Sequence, residues 1–383
     1  MSLRKYLIDT FCVVTRTLKG VDNKKALFIS YNGSSYSDNP KAISEVLHDI
    51  CPEADIVWAM KDPESKKKIV PEYVRIVNMN DSVQMTKEMS TAAVVVNNGC
   101  LASIPKSSKQ YFIQAWHGDR AFKKILYDSP FSSNFTVMES KDGYCDLALA
   151  GSKYGEMQYR SAFRYNGEIS MIGTPRNDKL VRADKEEISK IRKELNIAEE
   201  TKILLYAPTL RRNTDNGSQQ AQDIDIEKTL KSLEDKFGCS WCCIVRAHPA
   251  VKGLSGLDYD GERIIDVTKY EDMADLLLVS DMLVTDYSSC AGDFALLNRP
   301  IVLYQADRAE YLEKDRTFYF EMSDSPYYIA ENQKELEAII AGFSDDGIVE
   351  NCKAILDFYT TTESGEASKV IAERICDWFE KIK

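Results

Sequence analysis

The sequence predicts an α/β protein of two doubly wound, parallel-sheet domains enclosing a cleft, and three observations predict it. Short apolar runs alternate with amphipathic helical patterns along the chain, the pattern of parallel strands joined by crossover helices. At 383 residues the chain is long for one core, so two domains are expected. The stretch from Lys179 to Glu200 is highly charged, has few large apolar residues, and divides the alternation into halves. The expected division is a segment 1–25, an N-terminal domain 26–180 and a C-terminal domain 181–383.

Composition narrows the class. A hydrophobic share of 44% and a charged share of 28% describe an ordinary globular protein. The net charge of −11 argues against general nucleic-acid binding, although basic patches can survive on an acidic whole. Ten cysteines are scattered singly, apart from Cys239, Cys242 and Cys243, which fits a reducing cytoplasm better than a disulfide framework. There is no signal-peptide pattern, and no apolar run approaches the ~18–20 residues of a membrane span.

Taken in order, Leu3, Leu7, Phe11, Val14 and Leu18 recur at helical spacing among Arg4, Lys5, Arg16, Lys19, Lys24 and Lys25. This basic amphipathic helix has two readings: it lies on an anionic membrane surface, or it packs on its own domain. Ala26–Ser30 is an apolar strand, followed by the polar loop YNGSSYSDNP and a helix over Pro40–Ile50, in which His48 is structural. Strands follow at Ile56–Met60, Val74–Val77, Ala92–Asn98 and Tyr111–Ala115, then Leu147–Ala150 and, after a helix opened by Gly151-Ser152, Ile169–Ile172. The second half opens with the strand Ile203–Tyr206. The polar segment Arg211–Asp223 is a loop at a sheet edge, and Trp241–Arg246 is the next strand. From 262 to 305 come the strand Ile264–Val267, a helix over Met273–Val279, the strand Met282–Thr285, a helix bearing Phe294–Leu297, and the strand Ile301–Tyr304.

The chemistry collects at strand ends, where doubly wound sheets bind ligands. The chain has three histidines, and two of them, His117 and His248, each follow a strand. His117 precedes Gly118 and the cations Arg120, Lys123 and Lys124. An imidazole titrates near neutral pH and suits a general base, and the cations suit a phosphate-bearing substrate. A strand-end histidine satisfied by a hydrogen bond is the other reading. Thr285-Asp286-Tyr287-Ser288-Ser289 combines hydroxyls with a helix start and reads as an anion site, or as a plain N-cap. Cys239-Ser240-Trp241-Cys242 has the spacing of half a zinc site. With no second pair, and with alternate residues committed to a strand, no metal is assigned. No carboxylate cluster would hold Mg²⁺ unaided, so no cofactor is implied and Mg²⁺ dependence stays open.

Four segments, QAWHGDRAFKK, LLYAPTLRRN, VRAHP and DVTKYEDMADLLLVSDMLVTDYSSCAGDFALLNRPIVLY, together resemble the CDP-glycerol glycerophosphotransferase family of teichoic-acid and capsule synthesis. FISYNGSSYSDNPKAI looks like that family's first strand and loop. The resemblance implies a GT-B architecture of two Rossmann-like domains, the nucleotide on the C-terminal one. It also implies transfer of a polyol phosphate from CDP-glycerol or CDP-ribitol to a lipid-linked or growing glycan acceptor, releasing CMP. By motif, His117 would deprotonate the acceptor hydroxyl and His248 would help neutralise the donor phosphates. Thr268, Ser288 and Ser289 would hold the pyrophosphate, with Asp286 ordering the turn. Pro208, Thr209, Arg212 and Arg246 would lie on the donor side, and Trp116, Gly118, Arg120 and Lys123 on the acceptor side. The N-terminal helix would meet an anionic membrane surface from the cytoplasmic face.

Two departures stand out. Asp119-Arg120 replaces the family's frequent Thr-Pro, which leaves acceptor specificity open. Ser325-Pro326-Tyr327-Tyr328 replaces a Pro-Gly-Pro turn, which leaves the local geometry open. Two other classes stay in view: a GT-B enzyme acting on a nucleotide-sugar, and a lectin-like scaffold that has lost its chemistry. Retention of both His117 and His248 speaks against the scaffold.

Overall fold

The computed structural model describes residues 3–99, 104–130, 145–209, 211, 219–220, 224–247, 254–255, 257, 259–314 and 317–383. It divides into two compact units, the first made of Met1–Asp119, Ser133–Asp178 and Thr362–Lys383, the second of Arg120–Ser132 and Lys179–Thr361.

The first unit is built on strands β1 (Asp22–Ile29), β2 (Asp55–Met60), β3 (Arg75–Asn78), β4 (Ala92–Asn97), β5 (Tyr111–Gln114), β6 (Leu147–Leu149) and β7 (Glu168–Ser170). They lie in the order β3-β2-β1-β4-β5-β6-β7, every pair parallel. The continuous apolar run of β4 is explained by burial of all six of its residues, as expected where helices cover both faces of a sheet. Those helices are α1 (Leu3–Lys19), α2 (Asp38–Ile50), α3 (Pro63–Lys66), α4 (Ser82–Thr91) and α5 (Lys153–Ser161). Helix α1 packs on α4 through a narrow face on which Cys12 and Thr15 are buried. Its other face leaves Leu7 58%, Phe11 39%, Val14 47% and Leu18 79% exposed, so packing on its own domain accounts for one face of the helix.

The second unit carries β8 (Lys202–Ala207), β9 (Gln219–Gln220), β10 (Trp241–Val245), β11 (Leu254–Ser255), β12 (Ile264–Asp266), β13 (Met282–Thr285), β14 (Ile301–Tyr304) and β15 (Tyr328–Ala330). Six of them form a parallel sheet in the order β12-β10-β8-β13-β14-β15, and β11 pairs with β9. Its helices are α6 (Asp178–Arg182), α7 (Lys185–Glu194), α8 (Ile226–Phe237), α9 (Met273–Val279), α10 (Cys290–Phe294), α11 (Arg308–Lys314), α12 (Gln333–Gly342) and α13 (Asp345–Phe358). The Ser-Pro-Tyr-Tyr segment runs into β15, the edge strand of this sheet.

The units change at Asp178/Lys179, but neither is the continuous 26–180 or 181–383 expected, because Arg120–Ser132 belongs to the second unit and the last segment, Thr362–Lys383, to the first. Helix α14 (Ala367–Lys381) packs on α2. Its first N–H groups, Ala367 and Ser368, donate to the buried Asp178 carboxylate at 2.9 and 2.7 Å, so a negative charge sits at the positive end of the helix. Glu363 accepts from the Thr174 N–H and hydroxyl at 2.8 and 2.6 Å. Contacts this far apart in sequence leave no local pattern.

In both sheets the strand order reverses once, between β1 and β4 in the first unit and between β8 and β13 in the second. The carboxyl ends of those strands form the crevice in which open α/β sheets bind ligands.

Candidate active site

At the first switch point β1 leads into Ser30-Tyr31, β4 into Asn98, and the neighbouring β5 into Ala115-Trp116-His117. The His117 Nδ1 lies 2.6 Å from the Asn98 carbonyl oxygen. A carbonyl only accepts, so Nδ1 carries the proton, and in the neutral ring Nε2 is the basic nitrogen. Asn98 is fully buried, and its side chain accepts from the Tyr31 N–H at 2.8 Å and donates to Ser30 Oγ at 3.2 Å. Asn39, at the start of α2, donates to the carbonyls of Ala115 and Trp116, both at 2.8 Å, and accepts from the Arg176 N–H at 2.9 Å.

These bonds hold a strained backbone. Tyr31 (φ 44°), Asn32 (φ 53°), Asp38 (φ 66°) and Trp116 (φ 37°) all occupy the left-handed region without being glycine. Each such residue costs about 1–3 kcal/mol and persists only where its surroundings over-determine it. The Trp116 ring lies 4.2 Å from the imidazole and meets Phe163 edge-on at 4.7 Å. The Tyr31 ring lies 5.2 Å from the imidazole, tilted by 53°.

At the second switch point, Asp286 ties the end of β13 to the end of β8. Its carboxylate accepts from the Thr209 N–H at 2.9 and 3.1 Å and from its neighbour Tyr287's N–H at 2.5 Å. Thr285 donates its hydroxyl to the Ala207 carbonyl at 2.6 Å, and Gln305 donates to the Asp286 carbonyl at 3.0 Å. Arg211 closes the arrangement: it pairs with Asp286 at 2.9 Å and with Asp307 at 2.6 Å. The guanidinium lies 5.1 and 4.9 Å from the stacked rings of Tyr287 and Tyr311. Burial alone would lower the Arg211 pKa, but the two carboxylates outweigh it and raise it. Tyr287 donates to Asp307 at 2.9 Å, and its phenol is pushed up by burial and then by that carboxylate. The Cys290 thiol beyond the turn is pushed up to about 11, chiefly by burial, and stays protonated.

The structure sorts the expected site residues. Trp116 and His117 come together with Tyr31 and Asn98, which sequence reasoning did not single out. Gly118 is buried. Arg120, expected on the acceptor side, is a correction: it is 0% exposed and pairs with Asp293 at 2.6 Å. A fully desolvated guanidinium needs such a carboxylate. Lys123 is half-buried and bridges to Phe318 through its backbone. Pro208 is buried and Thr209 half-buried beside Asp286. Ser288 Oγ accepts a long 3.4 Å bond from the Cys290 N–H. Ser289, at the N-cap position of α10, makes no side-chain cap bond, so the plain N-cap reading does not account for it. The Thr268 hydroxyl accepts from the Ala247 N–H at 3.1 Å, steadying the turn after β10, and the Arg246 N–H donates to Tyr206 at 2.9 Å. His248 and Arg212 lie outside the described residues. Asp119 also turns inward, accepting from the Gly151 N–H at 2.9 Å and the Ser152 hydroxyl at 2.6 Å. Among the described residues no group of three His, Cys, Asp or Glu side chains is placed to hold a metal.

Two parallel-sheet units, each with a polar strand-end site at its switch point, define the GT-B class of nucleotide-dependent transferases. Within that class, the chain belongs to the CDP-glycerol:poly(glycerophosphate) glycerophosphotransferase family, which it matches over residues 10–377. It is 31% identical to a teichoic acid glycerol-phosphate transferase of Staphylococcus aureus over 98% of each chain. It is 28% identical to a teichoic acid poly(glycerol phosphate) polymerase of Staphylococcus epidermidis, covering 93% of this chain but only 51% of that longer one. The structure of the wall teichoic acid polymerase TagF superposes with a TM-score of 0.82 at 26% identity, over 100% of this chain and 99% of that one.

Proposed function

We propose that the chain transfers glycerol phosphate from CDP-glycerol to a hydroxyl of a lipid-linked glycan or its growing polymer, releasing CMP. The observation that carries the mechanism is the Nδ1 bond from His117 to the Asn98 carbonyl, which leaves Nε2 able to accept a proton. Nε2 takes the proton of the acceptor hydroxyl, and that oxygen attacks the phosphorus bearing the glycerol. The bond from that phosphorus to the bridging oxygen breaks, and CMP leaves with the electron pair. Such a transfer needs mainly positioning and charge stabilisation. In this reading the first unit presents the acceptor and the second holds the donor. Thr209, Ser288, Ser289, Thr268 and Arg246 serve the pyrophosphate side, Arg212 is assigned there by motif, and His248, assigned by motif, neutralises developing charge.

The exposed stripe Leu7, Phe11, Val14 and Leu18 suits α1 to rest on an anionic membrane surface, where a lipid-linked acceptor resides. Among the described residues no helix is long and apolar enough to cross a membrane, and peripheral attachment at the cytoplasmic face follows from this reading.

The test is CMP release from CDP-glycerol and from CDP-ribitol with a primed lipid-linked acceptor. Acceptor-dependent release that falls by roughly 10²–10⁴-fold in His117→Ala is expected for loss of a general base. No turnover with either donor, alongside tight binding of a UDP-sugar, would replace this reading with a nucleotide-sugar enzyme.

A further inference from the structure

We propose that Tyr31 is a positioning residue for the transfer step, holding the His117 imidazole so that Nε2 faces the acceptor hydroxyl. The proposal rests on reading His117 as the base. A hydrogen bond at Nδ1 permits rotation about its own axis, so the Asn98 carbonyl fixes the tautomer of His117 but does not by itself set its tilt. The rings of Trp116 at 4.2 Å and Tyr31 at 5.2 Å lie against the imidazole and restrict that rotation. Tyr31 is itself fixed at both ends. Its N–H donates to the Asn98 side chain at 2.8 Å, and Asn98 is also the residue whose carbonyl receives Nδ1. Its phenol donates to Asp38 at 2.7 Å, and Asp38 is anchored by the buried Arg176 at 3.2 Å. Tyr31 also lies two residues past the end of β1, at the switch point. Yet its side chain stays 39% exposed, so its place is not explained by core packing. A near-buried ion pair and a left-handed backbone thus serve to place a partly exposed ring against an imidazole, as support for a reacting group requires.

The experiment measures acceptor-dependent CMP release by wild type, Tyr31→Phe, Tyr31→Leu and His117→Ala, with unfolding midpoints for each. Tyr31→Leu is expected to lower kcat by about 10- to 100-fold, a displacement effect, while the KM for CDP-glycerol moves less than about twofold. Tyr31→Phe, which keeps the ring, is expected to recover kcat to within about two- to fivefold of wild type. A folded Tyr31→Leu enzyme with wild-type kcat, or a loss confined to donor KM, overturns the proposal. If His117→Ala is inactive in that case, the base reading survives and only the role of Tyr31 fails. If His117→Ala turns over normally, both fail together. Should Tyr31→Leu not fold, Tyr31→Met, which also lacks the ring, takes its place: a fall in kcat of about 10-fold or more at unchanged donor KM supports the role, and an unchanged kcat overturns it.

Discussion

The two switch points solve the same topological problem with opposite chemistry. In the first unit the strand ends are tied by amides: Asn39 to two carbonyls, Asn97 to Gly99, and Asn98 to Tyr31 and Ser30. In the second they are tied by charge, with Asp286 bridging β13 to β8 and Arg211 joining it to Asp307. Amides add no formal charge beside the His117 imidazole, which suits the general-base role proposed for it. A carboxylate in a turn proposed to hold phosphates would repel them, and the charge of Asp286 is met by a guanidinium and two backbone N–H groups. The first site is held in a strained shape, the second in a neutralised one.

The comparison breaks most readily at Asp286. Asp286→Ala takes one of two carboxylates from Arg211, which keeps Asp307 and its bonds to Thr209, and removes Asp286 as acceptor of the Thr209 N–H. Removing one partner of a buried ion pair costs about 3–5 kcal/mol, and the turn between β8 and β13 loosens with it. The expected result is a lower denaturant midpoint together with a KM for CDP-glycerol raised at least about tenfold, about 1.4 kcal/mol. Unchanged donor KM in a folded protein would show that the tie is purely structural.

Arg120 tests the boundary between scaffold and site. Arg120→Ala takes the guanidinium away from the buried Asp293 and is expected to cost about 3–5 kcal/mol, read by chemical denaturation. Arg120→Met with Asp293→Leu should recover most of that loss, because a hydrophobic pair of similar size replaces a buried ion pair at little cost. A rise in acceptor KM in that stable double variant would return Arg120 to the acceptor side. In the first unit, Asn39→Ala orphans the carbonyls of Ala115 and Trp116, at about 1–3 kcal/mol for each group left unpaired. It also releases the left-handed peptide of Trp116. Here kcat is expected to fall more than donor KM rises, the reverse of Asp286→Ala.

What the sequence made legible follows from range. Strands such as Met282–Thr285 and Ile301–Tyr304 were bounded to the residue, because apolar runs between turn residues are local signals. His117 and Asp286 were legible because each follows a strand. Arg211 was not, since it opens a polar stretch that reads as loop, and its importance comes from Asp307, far along the chain. Tyr31 and Asn98 were hidden in the same way, each being an ordinary residue until β1 and β4 pair. Arg120 was misplaced by adjacency: beside His117 in sequence, it turns into the interior of the second unit, while its neighbour Asp119 turns into that of the first. Thr362–Lys383 gave no local hint of returning to the first unit.

The smallest expected effect concerns that replacement of Thr-Pro by Asp119-Arg120. Asp119 reaches the N-terminal end of α5 because Gly155 leaves room: a Cβ there would lie 1.9 Å from Asp119 Oδ1. Gly155 is helical in an ordinary right-handed turn, so alanine would otherwise favour the helix by about 1 kcal/mol. Gly155→Ala is instead expected to destabilise by about 1–3 kcal/mol through overpacking, as measured by the unfolding midpoint. In an Asp119→Ala background the carboxylate is gone and the helix preference alone remains, so the same substitution should be neutral or stabilising. A coupling energy of at least about 1 kcal/mol between the two positions is the expected outcome. Additive effects would mean that α5 accepts the methyl by shifting, and that the space at Gly155 does not depend on the carboxylate at 119.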